Sequence, residues 1–454
     1  MTKKHWLSDE PTGSESKGVL GALGWGVFLG TSWTWVIGMI LPCLLIRDMG
    51  FAGFLIFALP NCIGAAAMGT ILSGKNARNL PNRHWGMIMT FSIVTVAYHF
   101  YIAGYLLPNL LGNLSLLIFA AGALLAAIFM WIGKDKGALL YSGIVWIISI
   151  VCFIIAIFSP ETESFSLYQQ TPLQPSAHMW AFLPASVGGF LLCPYLDATF
   201  IRARAKTTGK TGRWAFAFGF LVVFAAMIIF TTAYAHEVVD AFAGQKNRLT
   251  GVWAVLLIIH IPLQMGLTVT WHMREICSAS YTWMKNKMQH IDISIEDKDC
   301  NAAAKKFSVV TFVGFILGSI AIFVAITMIG ITLRAASFEW FEKFKGINEI
   351  KEVYEAYEIG RFISLGEIGY RCILICYGTL FPAYVMLMMV PTLYPSPQRR
   401  PWWLFTITVV LSTVTAYIGF VLAEWWGVAA TLGIISIARV WLDYRAYREH
   451  QKRD

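Results

Sequence analysis

Long apolar runs separated by short polar loops dominate this sequence. A run of about 20 apolar residues is long enough to cross the ~30 Å hydrocarbon core of a bilayer as a helix. The runs predict membrane helices at residues 19–46, 50–73, 85–107, 114–132, 138–159, 179–201, 214–235, 251–273, 307–333, 362–391, 402–422 and 425–442. No polar domain interrupts them. The pattern therefore predicts an all-α integral membrane protein with about twelve transmembrane helices.

The charges in the loops alternate along the chain. On the predicted side of the termini lie 26 Lys and Arg residues; 8 lie on the other side, and Arg371 falls within a span. Positive residues concentrate in cytoplasmic loops. This asymmetry predicts a multi-pass protein of the plasma (inner) membrane with both termini in the cytoplasm. No cleavable signal peptide is expected, because the first apolar run is too long.

Composition strengthens the membrane prediction and excludes other classes. The chain is 57% apolar and 13% charged, whereas soluble domains carry roughly 25% charged residues. The net charge of +9 lies in loops beside apolar runs, which argues against a nucleic-acid partner. The expected partners are the lipid bilayer and a small-molecule substrate. The eight cysteines have neither zinc-site nor disulfide spacing, so they predict free thiols and no bound cofactor.

Two spans combine helix-breaking and polar residues. The first contains Gly24, Gly26 and Gly30, followed by residues 31–34 with the sequence Thr-Ser-Trp-Thr. The sixth contains Pro184, Ser186, Gly188 and Gly189, followed by Cys193, Pro194 and Asp197. They are the first members of two successive sets of five spans. Interrupted helices at corresponding positions in two halves indicate a transport site near the bilayer midplane.

Few ionisable residues lie within the other spans. For Glu367 and Arg371, one helical turn apart, the interpretations are an ion pair or part of an outer gate. Asp197 lies near Arg202 in sequence, and a structural salt bridge or an inner gate is expected. His99 and His260 are interpreted as hydrogen-bonded packing residues. The loop at 334–361 is either a connector containing an amphipathic helix or a lid.

The glycine-containing stretches resemble the LeuT-fold transporters, which comprise the amino acid-polyamine-organocation superfamily and its sodium/solute symporter relatives. Residues 24–32 are similar to the broken first helix of that fold, and 186–190 to its broken sixth helix. The resemblance implies inverted repeats at about 19–159 and 179–391, forming a core at 19–391. Two peripheral helices at 402–442 follow, with cytoplasmic tails at 1–18 and 443–454.

The resemblance also implies where ligands bind. The implied substrate residues surround the two breaks and include a third-span aromatic: Gly30, Thr31, Ser32, Trp33, Tyr98, Tyr101, Ser186, Gly188, Gly189 and Phe190. The implied sodium site joins the carbonyls of Gly26, Val27 and Gly30 to the hydroxyls of Thr268 and Thr270. No lysine lies deep in the fifth span, so sodium is favoured over a proton. No Asp or Glu lies at 24–34 or 184–190, which argues against a dedicated cationic substrate.

The predicted function is cation-coupled secondary transport of a small polar organic solute by alternating access. A major-facilitator protein is disfavoured, because loop 74–84 lacks the Gly-x-x-x-Asp-Arg pattern of that family. A membrane enzyme acting on lipid and a sensor with a transporter-like domain are the alternatives from other classes. No His-Glu-x-x-His pattern supports an enzyme, and no catalytic residues are predicted.

Overall fold

The fold is built from helices throughout the described part of the chain. The structure is a computed structural model that describes residues 16–159, 177–207, 209–243, 251–291, 297–345, 365–393, 401–421 and 426–451. Within these residues there is no β-strand; a single bridge joins Ser16 to Thr207. An all-α membrane fold is therefore confirmed at this level.

The helices follow the predicted apolar runs closely. In chain order they are α1 Gly18–Trp33, α2 Val36–Ile71, α3 Gly74–Leu111, α4 Leu114–Ile157, α5 Ala177–Leu192, α6 Ala198–Lys206, α7 Gly209–Phe218, α8 Ala225–Ala243, α9 Gly251–Ile291, α10 Asp297–Lys345, α11 Leu365–Gly378, α12 Leu380–Tyr384, α13 Trp402–Phe420 and α14 Trp426–Gln451. A π-helical turn, Gly219–Phe224, joins α7 to α8. Residues 346–361 of the predicted loop 334–361 lie outside the described residues.

Nine helices in the described residues are long and apolar enough to cross a membrane, or ten if the bent pair at Asp197 is one span. Two of the nine contain a kink where the sequence predicts two spans. α2 is kinked at Gly50, with φ of 67°, and α4 at Lys134, with φ of 51°. At 1.5 Å per residue, the 44 residues of α4 exceed the thickness of one bilayer core. The count of twelve stays a prediction.

The described chain forms two compact units. Unit 1 consists of residues Met1–Leu44, Ala65–Gln169 and Asp197–Ala325. Glycines bring its helices together: a Cβ on Gly30 of α1 would lie 2.5 Å from the carbonyl oxygen of Gly219, and one on Gly219 would lie 2.7 Å from the carbonyl oxygen of Gly26. Two backbones approach this closely only where side chains are absent.

Unit 2 consists of Leu45–Gly64, Gln170–Leu196 and Ile326–Asp454. Its helices also meet at glycines. A Cβ on Gly64 of α2 would lie 2.7 Å from the carbonyl oxygen of Phe190 in α5, and one on Gly427 would lie 2.7 Å from the amide nitrogen of Gly419. α13 also exposes apolar side chains such as Ile407 and Val410. This exposure fits helices with a lipid-facing side.

Candidate functional site

The first apolar run is interrupted at Thr34 and Trp35. α1 ends because the amide and the hydroxyl of Thr34 both donate to the carbonyl of Gly30, at 3.1 and 2.8 Å. Trp35 is extended and gives α2 no side-chain cap. Both residues are buried. The interruption lies at the end of the Thr-Ser-Trp-Thr stretch that the sequence singled out, and it places a helix N-terminus inside unit 1.

The sixth apolar run is interrupted at Cys193–Asp197. A 3₁₀ turn, Cys193–Leu196, follows α5, and Asp197 begins α6. Proline removes an amide donor and disfavours helical geometry at the preceding residue, so Pro194 explains the position of the break. The carboxylate of Asp197 accepts hydrogen bonds from the amides of Thr199 at 2.7 Å and Phe200 at 3.4 Å. The helix axis bends by 64° there.

The end of α1 and the start of α6 meet in unit 1. The hydroxyl of Thr199 lies 3.4 Å from that of Ser32, and the rings of Trp33 and Phe200 are 4.8 Å apart. A third helix, α9, brings Nε2 of His272 to 3.9 Å from a carboxylate oxygen of Asp197.

Nδ1 of the same histidine lies 3.0 Å from the hydroxyl of Ser92 on α3. We call Ser32, Ser92, Asp197, Thr199 and His272 the break cluster; each of the five is at most 2% exposed. The sequence singled out Ser32 and Asp197; it did not bring the five groups together, because the hydroxyls, the carboxylate and the histidine meet only through tertiary packing. The break cluster also contains an acidic residue, so the sequence argument against a cationic substrate does not hold.

The other first-break residues mainly support the helix. The hydroxyl of Thr31 donates to the carbonyl of Val27 at 2.7 Å. Gly30 is in contact with Gly219 and Val223, which makes it a packing residue. Of the third-span aromatics, Tyr98 is fully buried and Tyr101 stacks on Tyr105 at 6.1 Å.

The residues predicted at the second break lie inside a continuous helix of unit 2. Ser186, Gly188, Gly189 and Phe190 all belong to α5, which ends at Leu192. The hydroxyl of Ser186 donates to the carbonyl of Ile56 at 2.8 Å, a Cβ on Gly188 would lie 2.9 Å from Leu432, and one on Gly189 3.2 Å from the carbonyl of Tyr377. The expected break at 186–190 is therefore corrected to Cys193–Asp197. The glycines serve helix packing instead.

The residues of the predicted sodium site lie in unit 1 on α1 and α9. The ring of Phe28 stacks on Trp271 at 4.2 Å, which directs this face of α9 toward α1. Thr268 precedes Trp271 by three residues and so lies on the same face. It is buried, and its hydroxyl donates to the carbonyl of Gln264 at 3.0 Å. Its oxygen lone pairs remain available as ligands.

Thr270 and Gly26 have different neighbours. The hydroxyl of Thr270 lies 3.1 Å from the carbonyl of Ala123 on α4 and 2.8 Å from that of Gly266. The Gly26 carbonyl faces Gly219. Residues two apart on a helix point about 200° apart, so Thr268 and Thr270 do not converge on one ion. Of the predicted set, Thr268 lies on the face of α9 that meets α1, whereas Gly30 packs against Gly219 and Val223.

Four charges form one network in unit 2, of which Asp48, Glu367 and Arg371 are buried and Arg47 is partly exposed. The guanidinium of Arg47 binds both carboxylate oxygens of Glu367, at 2.8 and 2.6 Å, and one oxygen of Asp48. Arg371 bonds to the other oxygen of Asp48 at 2.5 Å, to Glu367 at 2.6 Å and to the carbonyl of Phe420 at 2.9 Å. We call Arg47, Asp48, Glu367 and Arg371 the Glu367 network. The predicted ion pair of Glu367 and Arg371 is present within a larger, neutral group.

A second group of charges lies in unit 1. Arg202, Lys206 and Arg274 all contact the carboxylate of Asp135, the first two at 3.2 Å. Arg202 also binds Glu275. We call these five residues the Asp135 network. The predicted partnership of Asp197 with Arg202 is corrected: Asp197 caps α6, and Arg202 pairs with Asp135 and Glu275.

Polar residues recur every four positions along α9. His260, Gln264, Thr268 and His272 are each at most 1% exposed. Ser149 of α4 binds Nδ1 of His260 at 2.9 Å and the amide nitrogen of Gln264 at 3.0 Å, so His260 is hydrogen-bonded to a neighbouring helix within the core. The four-residue spacing places the set along one slowly turning face of the helix, a signal that was present in the sequence.

His99 fits the packing interpretation. Its Nδ1 bonds to the carbonyl of Thr95 at 2.7 Å, and its ring stacks on Trp35 at 6.1 Å.

The comparisons with known proteins do not assign the chain to a family: no protein-family model matches the chain, and no curated protein matches it. Function is therefore argued from the site alone.

Proposed function

We propose that this protein is a cation-coupled secondary transporter that moves a small polar organic solute by alternating access. The observation that carries the proposal is the break cluster. Two interrupted helices bring buried hydroxyl, carboxylate and imidazole groups together in the core of unit 1. Broken helices persist in membranes where backbone groups line a cavity or bind a ligand.

The proposal also covers the membrane topology, the internal repeats and the gates. It comprises twelve membrane helices, five-plus-five inverted repeats of the LeuT type, two peripheral C-terminal helices, and cytoplasmic termini in the plasma (inner) membrane. The Glu367 network is proposed as part of an outer gate. Arg202, in the Asp135 network, is proposed as part of an inner gate. Buried charges at such positions are costly unless they are paired, and both networks provide the pairs.

Sodium is the proposed coupling ion. Carbonyl and hydroxyl oxygens are the ligands that hard cations prefer. The carbonyls of Val27 and Gly30 each accept a threonine hydroxyl, at 2.7 and 2.8 Å. The Gly30 oxygen also accepts the amide of Thr34 at 3.1 Å, so sodium bound there would replace one of these hydrogen bonds. The hydroxyl of Thr268 would complete the site from α9. Binding of sodium would tie α1 to α9 and so favour one of the alternating states.

Thermal unfolding of the detergent-purified protein tests the proposal. We expect sodium chloride to raise the unfolding temperature above the values in potassium and choline chloride at matched ionic strength. A ligand bound only by the native state adds about 2.7 kcal/mol at a hundredfold excess over its Kd. Thr268→Val should abolish the rise.

Thr270→Val is the matched control, because the Thr270 hydroxyl faces Ala123 of α4. It should retain the sodium-dependent rise. If Thr268→Val keeps the full rise, or if the wild-type protein shows none, the sodium site is not where we place it.

A further inference from the structure

Two loops on the predicted cytoplasmic side of unit 1 are basic and contain no acidic residue. Residues 74–84 and 202–213 together contain eight Lys and Arg residues and neither Asp nor Glu. Arg202 and Lys206 bind Asp135 in the Asp135 network. The other six are Lys75, Arg78, Arg83, Arg204, Lys210 and Arg213. A surface with this charge attracts anions.

Arg204 lies where α2 and α6 both end. Its Nε donates to the carbonyl of Leu72 at 2.6 Å, and its Nη1 donates to the carbonyl of Thr207. A carbonyl is neutral, so these bonds orient the guanidinium without neutralising it. Within the part of the chain that the structure describes, Nη2 has no hydrogen-bond partner. The side chain is only 5% exposed, and a buried charge of this kind is unfavourable without a counter-charge.

Two further arginines lie beside Arg204. Arg78 of α3 donates to the carbonyl of Ala205 at 3.0 Å. A Cβ on Gly212 of α7 would lie 2.5 Å from Nη1 of Arg204, so α7 begins against this guanidinium, and Arg213 is the next residue. Arg213 and Arg78 are both close enough to repel the charge of Arg204. We call Arg78, Arg204 and Arg213 the arginine cluster.

Exposed apolar side chains adjoin the arginine cluster. Ile71 of α2 and Trp214 of α7 are 63% and 67% exposed. Their helices are in contact, because a Cβ on Gly69 would lie 2.5 Å from Cβ of Phe216. Ile71 follows Gly69 by two residues and Trp214 precedes Phe216 by two, so both lie on the side of this contact nearer to Arg204. An exposed tryptophan beside cations is typical of the level where hydrocarbon meets lipid head groups.

We propose that the arginine cluster binds the phosphate of an anionic phospholipid, whose acyl chains pack against Ile71 and Trp214. Guanidinium groups match phosphate oxygens in charge and in hydrogen-bond geometry. Basic pockets between membrane helices on the cytoplasmic side bind anionic head groups in this way. The net negative charge of the lipid offsets the repulsion among the three arginines, which a zwitterionic lipid does not do.

The lipid would join the ends of three helices. Arg78 belongs to α3, Arg204 to α6 and Arg213 to α7, and α6 is the helix that begins at the break cluster. The inference goes beyond the proposed transport function and does not depend on it, because a structural lipid can bind to any membrane protein.

Native mass spectrometry of the full-length protein in detergent tests the proposal. Dioleoyl-phosphatidylglycerol and dioleoyl-phosphatidylcholine have the same acyl chains and differ in net charge. The wild-type protein should bind the phosphatidylglycerol at least fivefold more tightly. Arg213→Gln should weaken that binding about fivefold, the usual effect of one cation near an anionic lipid surface, and leave phosphatidylcholine binding unchanged.

Arg213 is exposed, so its replacement should preserve the fold, and thermal unfolding in lipid-free detergent checks this. Arg213→Glu should weaken phosphatidylglycerol binding further, because it places a like charge beside the phosphate. Lys306→Gln is the matched control. It removes one exposed positive charge near the start of α10 and should bind phosphatidylglycerol as the wild type does.

Four results would overturn the proposal. The first two are equal affinity of the wild-type protein for the two lipids and an equal loss in Arg213→Gln and Lys306→Gln. The third is competition by glycerol 3-phosphate at the same concentration as the lipid, which would indicate a site for free phosphates. The fourth is phosphatidylglycerol binding that appears only after neutralisation of Asp9, Glu10 and Glu15, which would make the N-terminal tail the occupant.

Discussion

At the scale of single residues, glycines that were predicted to line a binding site allow close helix packing instead. Gly30 and Gly188 were both predicted to contact the solute. In the structure each allows close helix packing, against Gly219 and Val223 in one case and Leu432 in the other. Glycine is frequent in membrane helices for this reason. A glycine-rich stretch therefore does not by itself separate an unwound site from a packing face.

Gly30→Ala should destabilise the protein by about 1–3 kcal/mol, the usual cost of overpacking a tight core. The added Cβ would lie 2.5 Å from both the carbonyl oxygen of Gly219 and a methyl carbon of Val223. Thermal unfolding in detergent measures the effect. Gly24→Ala is the control on the same helix, since its Cβ would meet only Leu139, at an ordinary 3.6 Å. An unchanged unfolding temperature for Gly30→Ala would show that α1 and the Gly219 turn are not packed as described.

At the scale of elements, buried charge pairs join helices that are distant in sequence. Arg47 and Asp48 on α2 bind Glu367 and Arg371 on α11, and the Phe420 carbonyl adds α13. Apolar packing alone leaves the rotation of a helix loosely defined, whereas these bonds require particular atoms to meet. The sequence identified the pair of Glu367 and Arg371 from its four-residue spacing. It gave no sign of Arg47 and Asp48 as partners, because they precede Glu367 by more than 300 residues.

Glu367→Gln should destabilise unit 2 by about 3–5 kcal/mol, the usual cost of removing one member of a buried ion pair. It leaves Arg47 and Arg371 with only Asp48 as a counter-charge. Asp443→Asn removes a carboxylate from the partly exposed pair with Arg439 and should cost no more than roughly 0.3–0.5 kcal/mol. Thermal unfolding of both variants provides the comparison. Equal effects would mean that the Glu367 network is hydrated and not buried.

At the scale of the whole molecule, the distribution of basic loops determines the predicted orientation. Asn113, before α4, and Lys136, after its kink, are both exposed. The charge asymmetry predicts that they lie on opposite sides of the membrane. This orientation matters for function, because the Asp135 network, proposed as part of an inner gate, would then lie on the cytoplasmic side.

Cysteine labelling in intact cells tests this orientation. In a background without native cysteines, Asn113→Cys should react with a membrane-impermeant maleimide from outside. Lys136→Cys should react only after permeabilisation. Labelling of both positions from outside would place the α4 kink on the outer side and contradict the positive-inside prediction. The described native cysteines are buried or half-buried, so their replacement by serine or alanine needs a check of stability first.

The sequence alone determined the class of this protein and the approximate bounds of its helices. Both follow from a local property, the length of an apolar run relative to the thickness of a bilayer. Only the tertiary structure decided which polar groups meet. The break cluster, the Glu367 network and the Asp135 network each combine residues from at least two helices. Which residues belong to each group depends on how the helices pack and on the rotation of each helix about its axis. Contacts between side chains that are far apart in the sequence determine both.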